Sequence, residues 1–116
     1  MATPPRISEK QFMGQVRQLA AHLGWKCYHT GYSLGSDAGW PDLTLVRPTH
    51  GDGPRIIFAE LKSQAGTVSA AQKDWLDTLK ACRCLGVKVQ VWRPSDLDSG
   101  RIPQLLAWPD MNVEVA

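Results

Sequence analysis

Asp42 stands directly after Pro41, and eighteen positions later Glu60 opens the triplet Glu60-Leu61-Lys62. Two carboxylates and an amine are the equipment needed to hold a divalent metal beside a phosphodiester and hydrolyse it. Mg2+ prefers near-octahedral oxygen coordination and keeps several waters, so one or two carboxylates plus a substrate phosphate suffice. Such an ion lowers the pKa of a bound water and shields charge gathering on phosphate oxygens; Mn2+ can stand in for it. Positioning and electrostatics carry most of phosphoryl-group chemistry, so a fixed amine at Lys62 is useful and an arginine is not its equivalent. The plainer reading of a Glu-x-Lys triplet is a solvated strand face with a surface ion pair of about 0–1 kcal/mol.

The flanking residues decide between the two. Leu43-Thr44-Leu45-Val46 and Ile56-Ile57-Phe58-Ala59 are apolar runs of strand length, largely β-branched or aromatic. Between them Thr49-His50-Gly51-Asp52-Gly53-Pro54 is dense in turn formers, which predicts an antiparallel hairpin. A turn centred near Gly51 or Asp52 makes the numbers of paired residues sum to about 102–104. Asp42 then falls opposite Glu60 or Lys62. Strand side chains alternate, so Glu60 and Lys62 share a face while Leu61 points to the other, as a core residue would. Ile56 to Leu61 is too apolar for a solvated edge, and placing Glu60 and Lys62 at the end of such a strand is costly without a partner or a metal. The expected location of the patch is a sheet edge or cleft, not the underside of a helix.

The rest of the chain supplies the supporting elements. Ser8 with Gln11 has capping-box spacing, and Phe12, Val16, Leu19, Ala20 and Leu23 follow at helical intervals up to Gly24. Trp25 to His29 alternates as a short strand, and 30–39 is a Gly/Ser loop leading into Trp40-Pro41-Asp42. Residues 63–68 read as a flexible link. Ser69 and Gln72 repeat the capping-box spacing ahead of a helix whose stripe is Trp75, Leu76, Leu79 and Cys82. Val87 to Trp92 alternates as a further strand, parallel to the Glu60 strand through a β-α-β crossover. Pro94 and Pro103 each begin a short turn or helix. The order α-β-β-β-α-β predicts an α/β fold, a mixed sheet flanked by helices, in one domain over 1–116 with its core at about 8–93.

At 116 residues the chain can bury a single core without staples. No apolar run is long enough to span a membrane and no secretion signal is evident at the N-terminus, so no membrane partner is expected. Three cysteines, Cys27, Cys82 and Cys84, fit no disulfide framework and point to a reducing, cytoplasmic setting. Cys82-x-Cys84 is poor zinc spacing, and incidental thiols are the better reading. A net charge of +2 excludes a basic DNA coat but leaves room for a local, salt-sensitive phosphate contact.

Taken together, Glu9, Gly39-Trp40-Pro41-Asp42-Leu43, Glu60-Leu61-Lys62 and Gln72-Lys73-Asp74-Trp75 resemble the VRR-NUC family of the PD-(D/E)xK nuclease superfamily. The likeness covers Ser8 to about Trp92, and the short chain is similar to the free-standing versions encoded by bacteriophages and bacteria. It implies a restriction-endonuclease-like core and metal-dependent endonucleolytic cleavage of DNA, with branched structures such as Holliday junctions as substrate. It assigns metal binding to Asp42, Glu60 and the backbone carbonyl of Leu61. Lys62 would orient or activate the water, or stabilise charge on the phosphorane. Glu9 would reach the site directly or through a water, and Gln72 would support Lys62 or the attacking water. Trp40 departs from the basic or aliphatic residue that many relatives carry.

Local alternatives stand beside these roles. Acids are common in a first helical turn, where Glu9 lies, for dipole reasons alone, and Gln72 is equally a capping partner of Ser69. Tyr32, Ser36 and Lys73 are candidate DNA contacts, and Trp40 could stack on a base or join a subunit contact. Trp75 is expected in the core. A four-way junction is cut on two strands, which one site cannot do at once, so a homodimer is expected. The competing functions are a restriction-like or general DNA nickase, and a non-catalytic nucleic-acid-binding module on a nuclease fold.

Overall fold

The computed structural model describes residues 7–31, 37–48, 53–82, 84 and 86–108. Helix α1 (Glu9–His22) starts where Ser8 predicts. Ser8 Oγ accepts from the Gln11 amide at 3.1 Å and Gln11 Oε1 accepts from the Ser8 amide at 2.9 Å, so two otherwise orphan donors are satisfied reciprocally. Gly24, at φ 88°, turns the chain into β1 (Lys26–His29). Strands β2 (Leu43–Arg47) and β3 (Arg55–Leu61) follow, then α2 (Ala70–Ala81), β4 (Val87–Trp92), α3 (Pro94–Asp98) and α4 (Arg101–Ala107).

The four strands form one sheet in the order β1-β2-β3-β4. β1, β2 and β3 are mutually antiparallel; β4 runs parallel to β3 after α2. Leu43 pairs with Ala59 and Thr44 with Phe58, so the hairpin register sums to 102, within the range its turn residues predict. Turn residues 49–52 themselves lie outside the described residues. β2 and β3 are the inner strands, so of the two expected locations, a sheet edge or a cleft, the edge is excluded.

One sheet face carries Leu43, Leu45, Ile57, Ala59, Leu61 and Trp92 against Phe12, Val16 and Ala20 of α1 and Ile102, Leu105 and Leu106 of α4. Each fully buried side chain of this kind is worth about 1.5–3 kcal/mol relative to exposure. The core thus runs on to Trp108 and does not close near residue 93, because Ile102, Leu105, Leu106 and Trp108 join its buried cluster. On the opposite face α2 lies mainly over β4. Leu76 is buried there, Trp75 and Leu79 are only half-buried and Cys82 is exposed, so the stripe expected to be core is a thinner second layer. Nor is the segment after Lys62 a loose link. Arg93 Nη1 donates to the carbonyls of Ser63 at 2.7 Å and Gly66 at 2.6 Å, and Gln64 exchanges two hydrogen bonds with Ser95.

Candidate active site

Extending the β2–β3 register by one pair sets Asp42 opposite Glu60, on the face away from the α1 core. Four hydrogen bonds fix these positions. Asp42 Oδ2 accepts from the Leu61 amide at 2.8 Å, so the first acid is clamped to the peptide that follows the second. The Lys62 amide donates to the Trp92 carbonyl at 2.9 Å, which ties the end of β3 to β4. From the other side Thr30 donates through its amide to the Asp42 carbonyl at 2.9 Å and through Oγ1 to the Pro41 carbonyl at 2.7 Å. Pro41 is fully buried.

Gly39 explains the glycine ahead of Trp40-Pro41-Asp42. Its φ is +95°, a conformation L side chains rarely adopt, and a Cβ there would stand 2.5 Å from the Ala71 carbonyl carbon and oxygen. The segment bearing Asp42 is therefore packed directly on the first turn of α2. Trp40 fills the adjoining space, with its ring 5.0 Å from Trp75 and 5.8 Å from Phe58, both edge-on. Half-buried between α2 and the sheet, it acts as a wall of the site.

Glu60 is 1% exposed, and its Oε2 has no hydrogen-bond partner among the described residues. Burial, then a hydrogen bond with Asp42 and its charge, pushes the carboxyl pKa up to about 9; the Lys62 ammonium opposes part of that shift and Glu9 adds to it. The two acids are thus within hydrogen-bonding reach of each other, with Lys62 and Glu9 close enough to be felt. Glu9 itself is exposed on the first turn of α1. Among the described residues no three His, Cys, Asp or Glu side chains cluster tightly enough to hold an ion. The donor chemistry fits a hard cation: two facing carboxylates, one with an unsatisfied buried oxygen.

The remaining candidates are spread more widely. Gln72 Oε1 accepts from the Ser69 amide at 2.9 Å, completing the capping box of α2, so its carbonyl is committed to the helix that supports Gly39. Lys73 is exposed and paired with Asp77 at 2.7 Å, away from the acids. Tyr32 and Ser36 lie outside the described residues. Thr30 and Arg93 escaped the sequence reading. Neither type is diagnostic alone, although Thr30 and Arg93 each directly follow a strand, where loop carbonyls are to be expected.

The family model described as VRR-NUC domain matches residues 7–96, from the approach to α1 through β4 into α3. No curated protein and no solved structure matches the chain.

Proposed function

The chain belongs to the VRR-NUC family, a nuclease family acting on DNA, and from that premise we propose that it is a divalent-metal-dependent DNA endonuclease acting on branched or otherwise structured DNA. The observation that carries the reading is Glu60, buried against a second carboxylate with an oxygen that no group among the described residues satisfies. A structural acid in that position would be neutralised by an arginine or by backbone amides.

Asp42, Glu60 and the Leu61 carbonyl would hold Mg2+ or Mn2+. When bound, such an ion neutralises phosphate charge and acidifies water. Asp42 keeps the β3 end in register by accepting from Leu61, so the two acids and the Leu61 peptide move as one unit. Lys62 Nζ donates to a non-bridging phosphate oxygen or orients the attacking water, and its charge offsets what builds up at phosphorus. Glu9 adds negative charge at the mouth of the site and acts through solvent. Gln72 serves indirectly: it caps α2, α2 abuts Gly39, and Gly39 places Asp42. Trp40 excludes water from one side. Resolution of a four-way junction further requires two such sites, hence a homodimer.

A panel of four-way junction, flap and plain duplex, incubated with Mg2+ or Mn2+ beside Asp42→Asn and Lys62→Ala, tests the proposal. Cleavage by the wild type alone, strongest on the branched substrates, is expected. Equal cleavage by Asp42→Asn would refute the site, and no cleavage under any condition would leave a binding module.

A further inference from the structure

The sheet face that carries Glu60 is only half covered. α2 shields β4, and Trp40 shields the part of Phe58 nearest the helix. Cross-strand partners share a face, so Lys26 with Val46, and Tyr28 with Thr44 and Phe58, lie on that same side. Among the described residues nothing comparable to α2 is packed over β1 and β2 on that side. Tyr28 is 66% exposed, the one large apolar side chain that the described residues leave open. Phe58 stands two residues before Glu60, and Tyr28 lies two strands across from Phe58. At ~4.8 Å between strands and ~3.4 Å per residue, its Cα is about 12 Å from that of Glu60.

We propose that this open half of the sheet is the track for an unpaired stretch of the substrate strand, with Tyr28 stacking on a base a few nucleotides from the scissile phosphate and Lys26 meeting the backbone. The assignment rests on the nuclease reading for its occupant and adds what that reading lacks, a reason for preferring structured DNA. An exposed ring beside a lysine, continuous with a site for a phosphodiester, matches the two demands of single strands: a flat stacking surface and a positive charge. A fully paired duplex keeps its bases stacked on each other and offers Tyr28 no face, whereas flaps and opened junction arms do. A protein partner would want a wider apolar patch, but Thr44 interrupts this one and Lys26 borders it.

The test separates binding from cutting. Labelled oligothymidylate is titrated with wild type, Tyr28→Ala, Tyr28→Phe and Lys26→Ala in chelator, and KM and kcat are then measured with Mg2+ on a splayed duplex. Tyr28→Ala should weaken oligothymidylate binding about tenfold and raise KM by a similar factor while kcat moves little; Tyr28→Phe should stay within about twofold of wild type. Lys26→Ala should lower the salt slope of binding by about one. Unaltered binding by Tyr28→Ala overturns the assignment, as does an equal loss in Tyr28→Phe, which would mean that the hydroxyl and not the ring is used. A Tyr28→Ala protein that changes from dimer to monomer on sizing also overturns it, giving the face to a second copy. Tyr28-dependent binding without any cleavage would keep the track and remove the nuclease reading. Asp42-dependent cleavage that ignores Tyr28 would do the reverse.

Discussion

Glu60→Gln should make the metal-free protein more stable at alkaline pH while destroying its activity. The Glu60 carboxyl is held at about 9 against an ordinary 4.5, by burial first and Asp42 second. An acid whose folded pKa is raised contributes its full stability below the unfolded pKa and loses it as pH climbs to the folded one. Between about 4.5 and 9 the folded state therefore retains a proton that the unfolded chain has released, and stability declines by ~1.4 kcal/mol per pH unit from this group. Carried to pH 8 the loss approaches ~5 kcal/mol, a ceiling that is comparable with the whole stability of a small domain. The observable part is the slope. From pH 6 to pH 8 in chelator the wild type should lose about 3 kcal/mol more than Glu60→Gln, on the order of 10 °C in Tm. Thermal melts of both proteins across that range measure the difference. Mg2+ should raise the wild-type Tm more at pH 8 than at pH 6, because it competes with the retained proton, and should leave the variant unmoved. Parallel melting curves for the two proteins would mean that Glu60 is already ionised and satisfied within the protein, and the case for a cation would lose its physical basis.

Three further outcomes are expected. Lys62→Arg should fail to restore the cleavage that Lys62→Ala loses, because a planar guanidinium cannot take the place of a compact ammonium; equal rates for Lys62→Arg and wild type in a plasmid-nicking assay would dismiss that role. Gly39→Ala should cost about 2–4 kcal/mol in urea unfolding, since it sets a Cβ against the α2 backbone at a positive φ, and it should lower activity even where the protein stays folded, because Asp42 moves with that segment. Sizing at micromolar concentration should return a dimer, and a monomer alone would favour flap cutting or nicking over junction resolution.

The hairpin was legible because register is arithmetic. Turn residues at 49–54 and two apolar runs leave little choice about what faces Asp42, and the observed sum of 102 follows. Both capping boxes were equally local and appear as spaced. What escaped depends on distant partners. Nothing in Ile102, Leu105 and Leu106 announces that a seven-residue helix will join the core, since that depends on the distant residues they pack against. Sequence order could not say that β2 and β3 would be inner strands, which required knowing on which side of β3 the crossover returns. The strap from Arg93 to the carbonyls of Ser63 and Gly66 joins segments nearly thirty residues apart, and an arginine at a strand end gives no hint of which carbonyls it will find.

The two inner strands carry buried charge at both ends, and the contrast between the ends bears on function. At one end Arg47 pairs with Arg55 across the β2–β3 ladder. Arg47 is 5% exposed and lies 4.7 Å over the Trp25 ring, donating to the carbonyls of Leu106 at 3.2 Å and Trp108 at 3.3 Å. Arg55 lies 5.1 Å over Trp108. Burial, with Arg55 adding to it, pulls the Arg47 pKa down, and aromatic faces and carbonyls from the same fold offset part of that cost, Arg47 Nε finding no hydrogen-bond partner among the described residues. At the other end Glu60 receives no such provision: its nearest strong partner is a second acid, and one oxygen is left over. A fold that supplies carbonyls and aromatic faces to a buried like-charge pair at 47 and 55 has no physical obstacle to supplying an arginine or amides at 42 and 60. Leaving the acids together raises the proton affinity of the pair and, by the same electrostatics, its affinity for a divalent cation. On the proposed reading the same feature lowers the stability of the metal-free fold and prepares the site for an ion, which is why the pH slope of Glu60→Gln and its loss of metal response should appear together or not at all.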